Sequence, residues 1–178
     1  MTSPVGHSLA GWILGKPNTL NYRWLLFIFF AANAPDLDFI LGAMEGQLNR
    51  YHHMASHSLS VAGLFALVCY CGVKIWGGNA RHIAIVGGLA YASHLLFDAV
   101  TVDTEEPRGM QLYWPFSEEY IIAPVTFFAN IQHGDTGDTL RAALHSIFSV
   151  HNFKAILLEL AIFTPVLIWV KWLKRNNE

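Results

Sequence analysis

The chain has 178 residues, of which 53% are hydrophobic and only 13% charged, against about 25% charged in an ordinary soluble domain. A formal net charge of −2 excludes the basic footprint of a nucleic-acid binder, and the apolar content excludes a disordered chain. The length indicates one domain over residues 1–178, and Cys69 and Cys71, two apart in an apolar run, give neither a disulfide framework nor a C-x-x-C metal motif and read as free buried thiols.

In chain order, residues 1–8 lack the basic start of a cleavable signal. A short helix is predicted over residues 4–14, turning through residues 15–21. Four apolar stretches follow: 24–34 continuing past two aspartates to Met44, 58–73 without a charge, 83–97 interrupted only by His94, and 155–170 interrupted only by Glu159. A spanning helix needs ~20 mostly apolar residues, and each stretch reaches that only with its polar flanks. The second stretch has no polar face, so it is buried all round, in protein or in lipid. A domain this small has room for one such soluble core helix, not three or four. The expectation is an all-α polytopic membrane bundle with about four spanning helices plus the short N-terminal helix. Residues 103–151 form the one long polar excursion. Within it, residues 120–131 with Trp114, Pro115 and Phe116 make an amphipathic patch suited to the membrane interface.

This topology places Lys16, Arg23, Lys74, Arg81, Lys171, Lys174 and Arg175 on one side and Arg50, Arg108, Arg141 and Lys154 on the other. By the positive-inside rule the first side, with the C-terminus, is cytoplasmic.

Asp and His inside apolar helices require an explanation, because an isolated charge in hydrocarbon is costly. His7, Asp36, Asp38, His52, His53, His57, His94 and Asp98 all fall at the helix ends facing the non-cytoplasmic layer. His94 and Asp98 stand at i and i+4, about 5–6 Å apart at Cβ, which suits a joint grip on a metal or a plain hydrogen-bonded pair. Pro35 breaks the helix before Asp36 and Asp38. One capping Asp is ordinary, but two adjacent carboxylates repel unless a cation lies between them. His53 and His57 share a helical face, so a metal taking His52 instead needs the helix to start near Ala55. His82, His133, His145 and His151 read as surface or interface residues.

The His/Asp mixture suits Zn²⁺ or another first-row divalent ion, one or two per chain. A metal with an open position brings the pKa of water to about 7 and supplies a nucleophile. On this reading Asp36 or Asp38 is a bridging ligand or general base, and Arg108 or Arg50 neutralises a phosphate. No G-x-S-x-G, phosphate loop or dinucleotide fingerprint competes.

His7, PDLD at residues 35–38, the H-x-x-x-x-H-S spacing from His52 to Ser58, HLLFDAVT at residues 94–101 and G-x-x-L-x-W-P-F-S at residues 109–117 resemble, in this order, the YdjM-type family of bacterial inner-membrane proteins described as metal-dependent hydrolases. Family members usually read H-R-G-x-T-H-S in the third motif, where this chain has His52-His53-Met54-Ala55-Ser56-His57-Ser58. The order His, Asp, His, His-x-x-x-Asp is also similar to the zinc-dependent phospholipase C and single-strand nuclease group. That likeness implies one metal centre from Asp36 or Asp38 with His57, His94 and Asp98, and a second ion helped by His7 and the other side of Asp98. The group's second His-x-x-x-Glu/Asp pair has no counterpart here.

Together these lines lead to the expectation of an inner-membrane hydrolase acting on a phosphoester or ester bond of a lipid or lipid-linked substrate, with its site on the non-cytoplasmic side. A transport protein with the same cluster as a transit site, a structural membrane protein whose His and Asp pair with each other, and a soluble helical enzyme are the rivals.

Overall fold

The structure is a computed structural model describing residues 1–15, 22–47, 49–76, 78–104, 106–133 and 140–176. Lys16 with its turn, Glu105, Asp135 and Asp138 lie outside the described residues.

Seven α-helices and no strands are present among the described residues: α1 (Pro4–Gly15), α2 (Tyr22–Asn33), α3 (Asp38–Met44), α4 (Leu59–Trp76), α5 (Ala80–Ala99), α6 (Leu140–Ile147) and α7 (Val150–Arg175). Single 3₁₀ turns at Pro35–Leu37 and Ala55–His57 precede α3 and α4. The Asn79 side chain accepts the His82 amide and caps α5, satisfying one of the orphan donors of a helix start.

The span count is lower than the sequence predicts. Ala80–Ala99 and Val150–Leu173 are long and apolar enough to cross a membrane. Tyr22–Asn33 with Pro35–Met44 makes a third only if counted as one span bent by 68°. Pro35 is the cause: it lacks an amide hydrogen and cannot continue the ladder of α2. The apolar part of α4, Leu59–Ile75, falls short of the ~20 residues a span requires. Among the described residues there are therefore two candidate spans, or three if the bent pair counts as one.

Helix α5 is the centre of the bundle and packs against α1, α2 and α4, while α7 packs on α1. Small residues set the spacing. Ala31, Ala32 and Ala90 are fully buried where α2 meets α5, and a Cβ at Gly11 would lie 2.9 Å from the Ala32 Cβ. Such contacts let helix backbones approach closely where lipid supplies no hydrophobic drive. On the outside, Leu26, Phe29, Leu67, Val68, Ile168 and Trp169 are exposed, an apolar surface that fits lipid better than water.

Residues 100–133 are irregular, tied by isolated bridges between Thr101 and Phe128 and between Met110 and Ile121. Of the patch predicted for the interface, Phe128 and Ile131 turn inward and are buried, while Phe116 and Phe127 face out. Cys69 is half-buried, its sulfur 3.4 Å from where a Cβ at Gly87 of α5 would lie, and Cys71 is exposed, so the prediction of two buried thiols is corrected: residues two apart on a helix do not share its packed face.

Candidate metal centre

The site lies where α2 ends, α4 begins and α5 ends. Residues 34–38 leave the helical path at Pro35, and neither Asp36 nor Asp38 caps a helix: the N-cap positions are Ala34 and Leu37, without side-chain cap bonds. Both carboxylates therefore stay free for other partners. The chain from Tyr51 to Met54 turns through His53 at φ 63°, a left-handed conformation that costs a β-carbon-bearing residue about 1–3 kcal/mol. The 3₁₀ turn at Ala55–His57 then delivers His57 inward, and the Tyr91 hydroxyl on α5 donates to the Ser56 carbonyl at 2.6 Å to hold that turn.

Four side chains converge. His94 Nε2 lies 3.0 Å from Asp98 Oδ2 and 3.3 Å from Asp36 Oδ1. His57 Nε2 lies 3.6 Å from Asp98 Oδ2 and 3.7 Å from Asp36 Oδ1. The two Nε2 atoms are 3.3 Å apart. A tetrahedral ion with ligand bonds of about 2.0–2.2 Å has ligand-to-ligand edges of about 3.3–3.6 Å, and the five separations bracket that figure. All four residues are buried or nearly so.

The surrounding bonds aim these atoms. His94 Nδ1 must donate to the Ala32 carbonyl at 2.8 Å, because a carbonyl only accepts; Nε2 is left with its lone pair toward the centre. Ser56 Oγ donates to Asp38 Oδ2 at 2.7 Å and so accepts from His57 Nδ1 at 3.0 Å, so that His57 Nε2, once it has given up its proton, presents its lone pair to the same point. In the centre, Asp36 Oδ1 and Oδ2 and Asp98 Oδ2 are buried without a hydrogen-bond partner. Acceptors facing acceptors in a dry site lack only a cation, so these residues fit a tetrahedral divalent metal.

Asp38 plays a different part from Asp36. Its Oδ2 lies 3.3 Å from His57 Nδ1 and its Oδ1 3.4 Å from His52 Nδ1. It stands behind two histidines and orients them, as carboxylates do around metal-bound imidazoles. His52 and His53 are buried, and burial pushes both imidazoles below their ordinary range, well below for His53. For His57 burial works against the charged form, but the surrounding carboxylates of Asp36, Asp38 and Asp98 raise it well above the ordinary value.

His7, on α1, stays outside the four-atom set. Its ring stacks on that of His94 with centroids 3.6 Å apart, and its Nε2 is 3.3 Å from Asp98 Oδ1. The contact to Asp98 lacks hydrogen-bond geometry, and neither ring nitrogen has a hydrogen-bond partner. The Thr2 amide donates to the same Oδ1 at 2.7 Å.

Arg50 and Arg108 do not join the cluster's contacts. Each is exposed and pairs locally, Arg50 with Glu45 at 2.6 Å and Arg108 with Glu106 at 2.9 Å. His133, read from sequence as peripheral, instead lies against Phe39 and His52, with ring centroids 5.1 and 5.9 Å away.

The residues that sequence reasoning missed are at the edges. Asp103 Oδ2 lies 3.6 Å from His53 Nδ1 and accepts the Gly109 amide. Ser3 donates its amide and its hydroxyl to the Glu159 carboxylate on α7, and Thr2 Oγ1 bonds Thr101 Oγ1 at 2.8 Å. The lone Glu159 in an apolar run was the available signal; nothing pointed to its partner.

A family model described as YdjM inner membrane protein matches residues 1–177. The chain belongs to that family. The match covers the candidate-site motifs and the polar excursion alike, and the family is one of inner membrane proteins. No curated protein and no solved structure matches the chain.

Proposed function

We propose that this YdjM-family protein is a membrane-embedded, metal-dependent hydrolase that cleaves a phosphoester or ester bond in a lipid or lipid-linked substrate. The observation that carries the reading is the near-tetrahedral approach of Asp36 Oδ1, His57 Nε2, His94 Nε2 and Asp98 Oδ2. Two imidazoles and two carboxylates suit Zn²⁺ or a neighbouring first-row divalent ion. Such an ion supplies Lewis acidity and, by lowering the pKa of water to about 7, a nucleophile for hydrolysis.

The chain's own residues do the rest. Asp36 and Asp98 would balance the ion's charge, and His57 and His94 would hold it through Nε2, their rings oriented by Ser56 and the Ala32 carbonyl. A cleft of about 210 Å³ reaches this region, lined by Leu41, Met54 and Trp114 together with Asp38 and Ser56. Apolar walls beside a carboxylate suit a bond at the junction of an acyl region and a head group. Asp38, whose oxygens meet Ser56 and the Nδ1 atoms of His57 and His52, would hold those imidazoles in place, and Asp36, with both oxygens unpartnered, would hold the ion through one oxygen and accept the proton as general base through the other. The local pairing of Arg50 and Arg108 gives no support to a substrate role for either. The site faces the non-cytoplasmic side.

The test is metal analysis of the detergent-purified chain, followed by lipid hydrolysis assays of wild type and Asp98→Ala. Bound divalent metal and wild-type hydrolysis lost in Asp98→Ala are expected. A metal-free wild type, or full activity in Asp98→Ala, overturns the reading.

A further inference from the structure

Helices α1 and α2 pack together, yet an open groove of about 450 Å³ remains between them. Ser8 and Trp12, one turn apart on α1, form one wall. Tyr22, Leu25 and Phe29, spaced three and four along α2, form the other, and the buried Ile28 is the floor. Tyr22 and Phe29 are exposed, which sets the mouth of the groove on the apolar outer surface. Its size and apolar, aromatic lining are those of a small-molecule site, which spans about 300–1,000 Å³.

One end of the groove is cationic. The Arg23 guanidinium carbon lies 5.8 Å from the Tyr22 ring centroid, and Arg23 Nε donates to the Tyr22 hydroxyl at 3.1 Å. From α7, Lys171 Nζ lies 5.3 Å from the Trp12 ring centroid. Two cations from two helices thus rest on two rings that line the groove. Neither α1 nor α2 contains an acid, and α7 has none after Glu159, so these helices bring positive and no negative charge to this end. Trp24, stacked on His82, stands beside Arg23 in the chain, and the exposed Trp169 and Trp172 flank Lys171. Such rings favour the head-group layer of a bilayer. The Ser8 end is neutral: its hydroxyl accepts from the Asn33 side chain at 3.0 Å.

An apolar groove with a cationic, aromatic rim at one end complements a molecule with an apolar chain and an anionic head. A partner span fits less well. Both α1 and α2 have 12 residues, about 18 Å of helix, against a hydrocarbon core of about 30 Å. We propose that this groove binds an anionic phospholipid, with one acyl chain lying over Ile28 and the phosphate meeting Arg23 and Lys171. The lipid ties α2 to α7 across α1, the helix that carries His7. The inference makes no use of the candidate metal centre and stands or falls apart from it.

The experiment is native mass spectrometry of the delipidated, detergent-purified full chain, titrated with phosphatidylglycerol and, separately, with phosphatidylcholine. Each basic residue at a lipid head group contributes about fivefold to affinity. Wild type is therefore expected to take one phosphatidylglycerol about 25-fold more tightly than phosphatidylcholine. The double variant Arg23→Gln, Lys171→Gln is expected to lose that preference, while Lys74→Gln, an exposed cation on α4, keeps it. Leu25→Trp, which fills the groove, is expected to weaken both lipids. Equal binding of the two lipids by wild type overturns the site, as does a preference that survives in the double variant. A lipid-free dimer that Leu25→Trp turns into a monomer also overturns it and gives the groove to a second copy of the chain. The wild-type preference is read without any variant having to fold.

Discussion

His94 Nε2 and Asp98 Oδ2, one helical turn apart on α5, lie 3.0 Å from each other, and each is also within 3.7 Å of His57 Nε2 from the turn before α4. A single rigid helix thus supplies half of the candidate centre, and elements separated by long stretches of sequence supply the rest. Asp98→Asn keeps the shape of the side chain but removes its charge. Its effect on Zn²⁺ affinity is expected to exceed the roughly 10–100-fold cost of losing an outer partner. Isothermal titration of the metal-stripped chain measures it; an affinity within tenfold of wild type removes Asp98 from the ligand set.

Asp38 separates from Asp36 on the same scale. It contacts His57 and His52 only at their Nδ1 sides. Asp38→Asn is expected to weaken Zn²⁺ binding by about 10–100-fold while full stoichiometry returns at saturating metal. Asp36→Asn is expected to lose stoichiometry itself. Elemental analysis across a metal titration distinguishes the two, and equal behaviour of the variants would show that their roles are not divided as the distances indicate.

The sequence made parts of this legible for physical reasons. Helical spacing alone places His94 and Asp98 on one face, and Pro35 before two acids marks a break. The division of labour between Asp36 and Asp38 depends on which oxygen meets which ring nitrogen, and that is tertiary. His53 was less visible because spacing rules for helices do not describe a turn that passes through φ 63°. The bend at Pro35 and the shortness of α4 reduced four predicted spans to two or three, since apolar runs report burial but not where a helix stops. Thr2 and Ser3 carried no signal, because two small hydroxyl residues at the head of a chain are ordinary until a buried acid is found beside them.

That acid gives a stability prediction. Glu159 is 1% exposed and accepts the Ser3 amide and hydroxyl. Glu159→Leu leaves two buried donors unmet, at about 1–3 kcal/mol each. A Cβ added at Gly6 would come 2.7 Å from Glu159 Oε2 and from Thr2 Cγ2, so Gly6→Ala pushes against the same clamp from the other side. Both variants are expected to lower the thermal midpoint in detergent. Because the Thr2 amide next along holds Asp98 Oδ1, both should also weaken Zn²⁺ binding. Unchanged melting in both variants would mean the clamp does not hold the N-terminal residues in place.

Metal binding should be steeply pH-dependent. The carboxylates around His57 outweigh its burial and hold its pKa well above the usual value, so without metal it carries a proton at neutral pH. His52 and His53 are pushed down by burial and carry none. A cation must displace the His57 proton, so binding releases protons and affinity rises with pH, by about tenfold per unit for each proton released. Titration calorimetry in two buffers of different ionisation enthalpy counts them. Proton uptake, or affinity that rises on acidification, contradicts the assignment of His57 as a ligand.

Orientation can be read from the same bundle. The candidate centre occupies the end of α2, the start of α4 and the end of α5, whereas Arg23, Lys74, Arg81 and Lys171 sit at the opposite helix ends. Basic residues stay on the cytoplasmic side of inner-membrane proteins, so the centre and the residues beyond it are expected to face outward. Phe116, 90% exposed in the segment after α5, is the reporter position. Phe116→Cys in a chain with Cys69 and Cys71 changed to Ser is expected to react with a membrane-impermeant maleimide in spheroplasts, while a fluorescent protein fused after Glu178 fluoresces in the cytoplasm. Labelling of Phe116→Cys only after the membrane is permeabilised would reverse the orientation and put the candidate centre in contact with cytoplasmic rather than external lipid head groups.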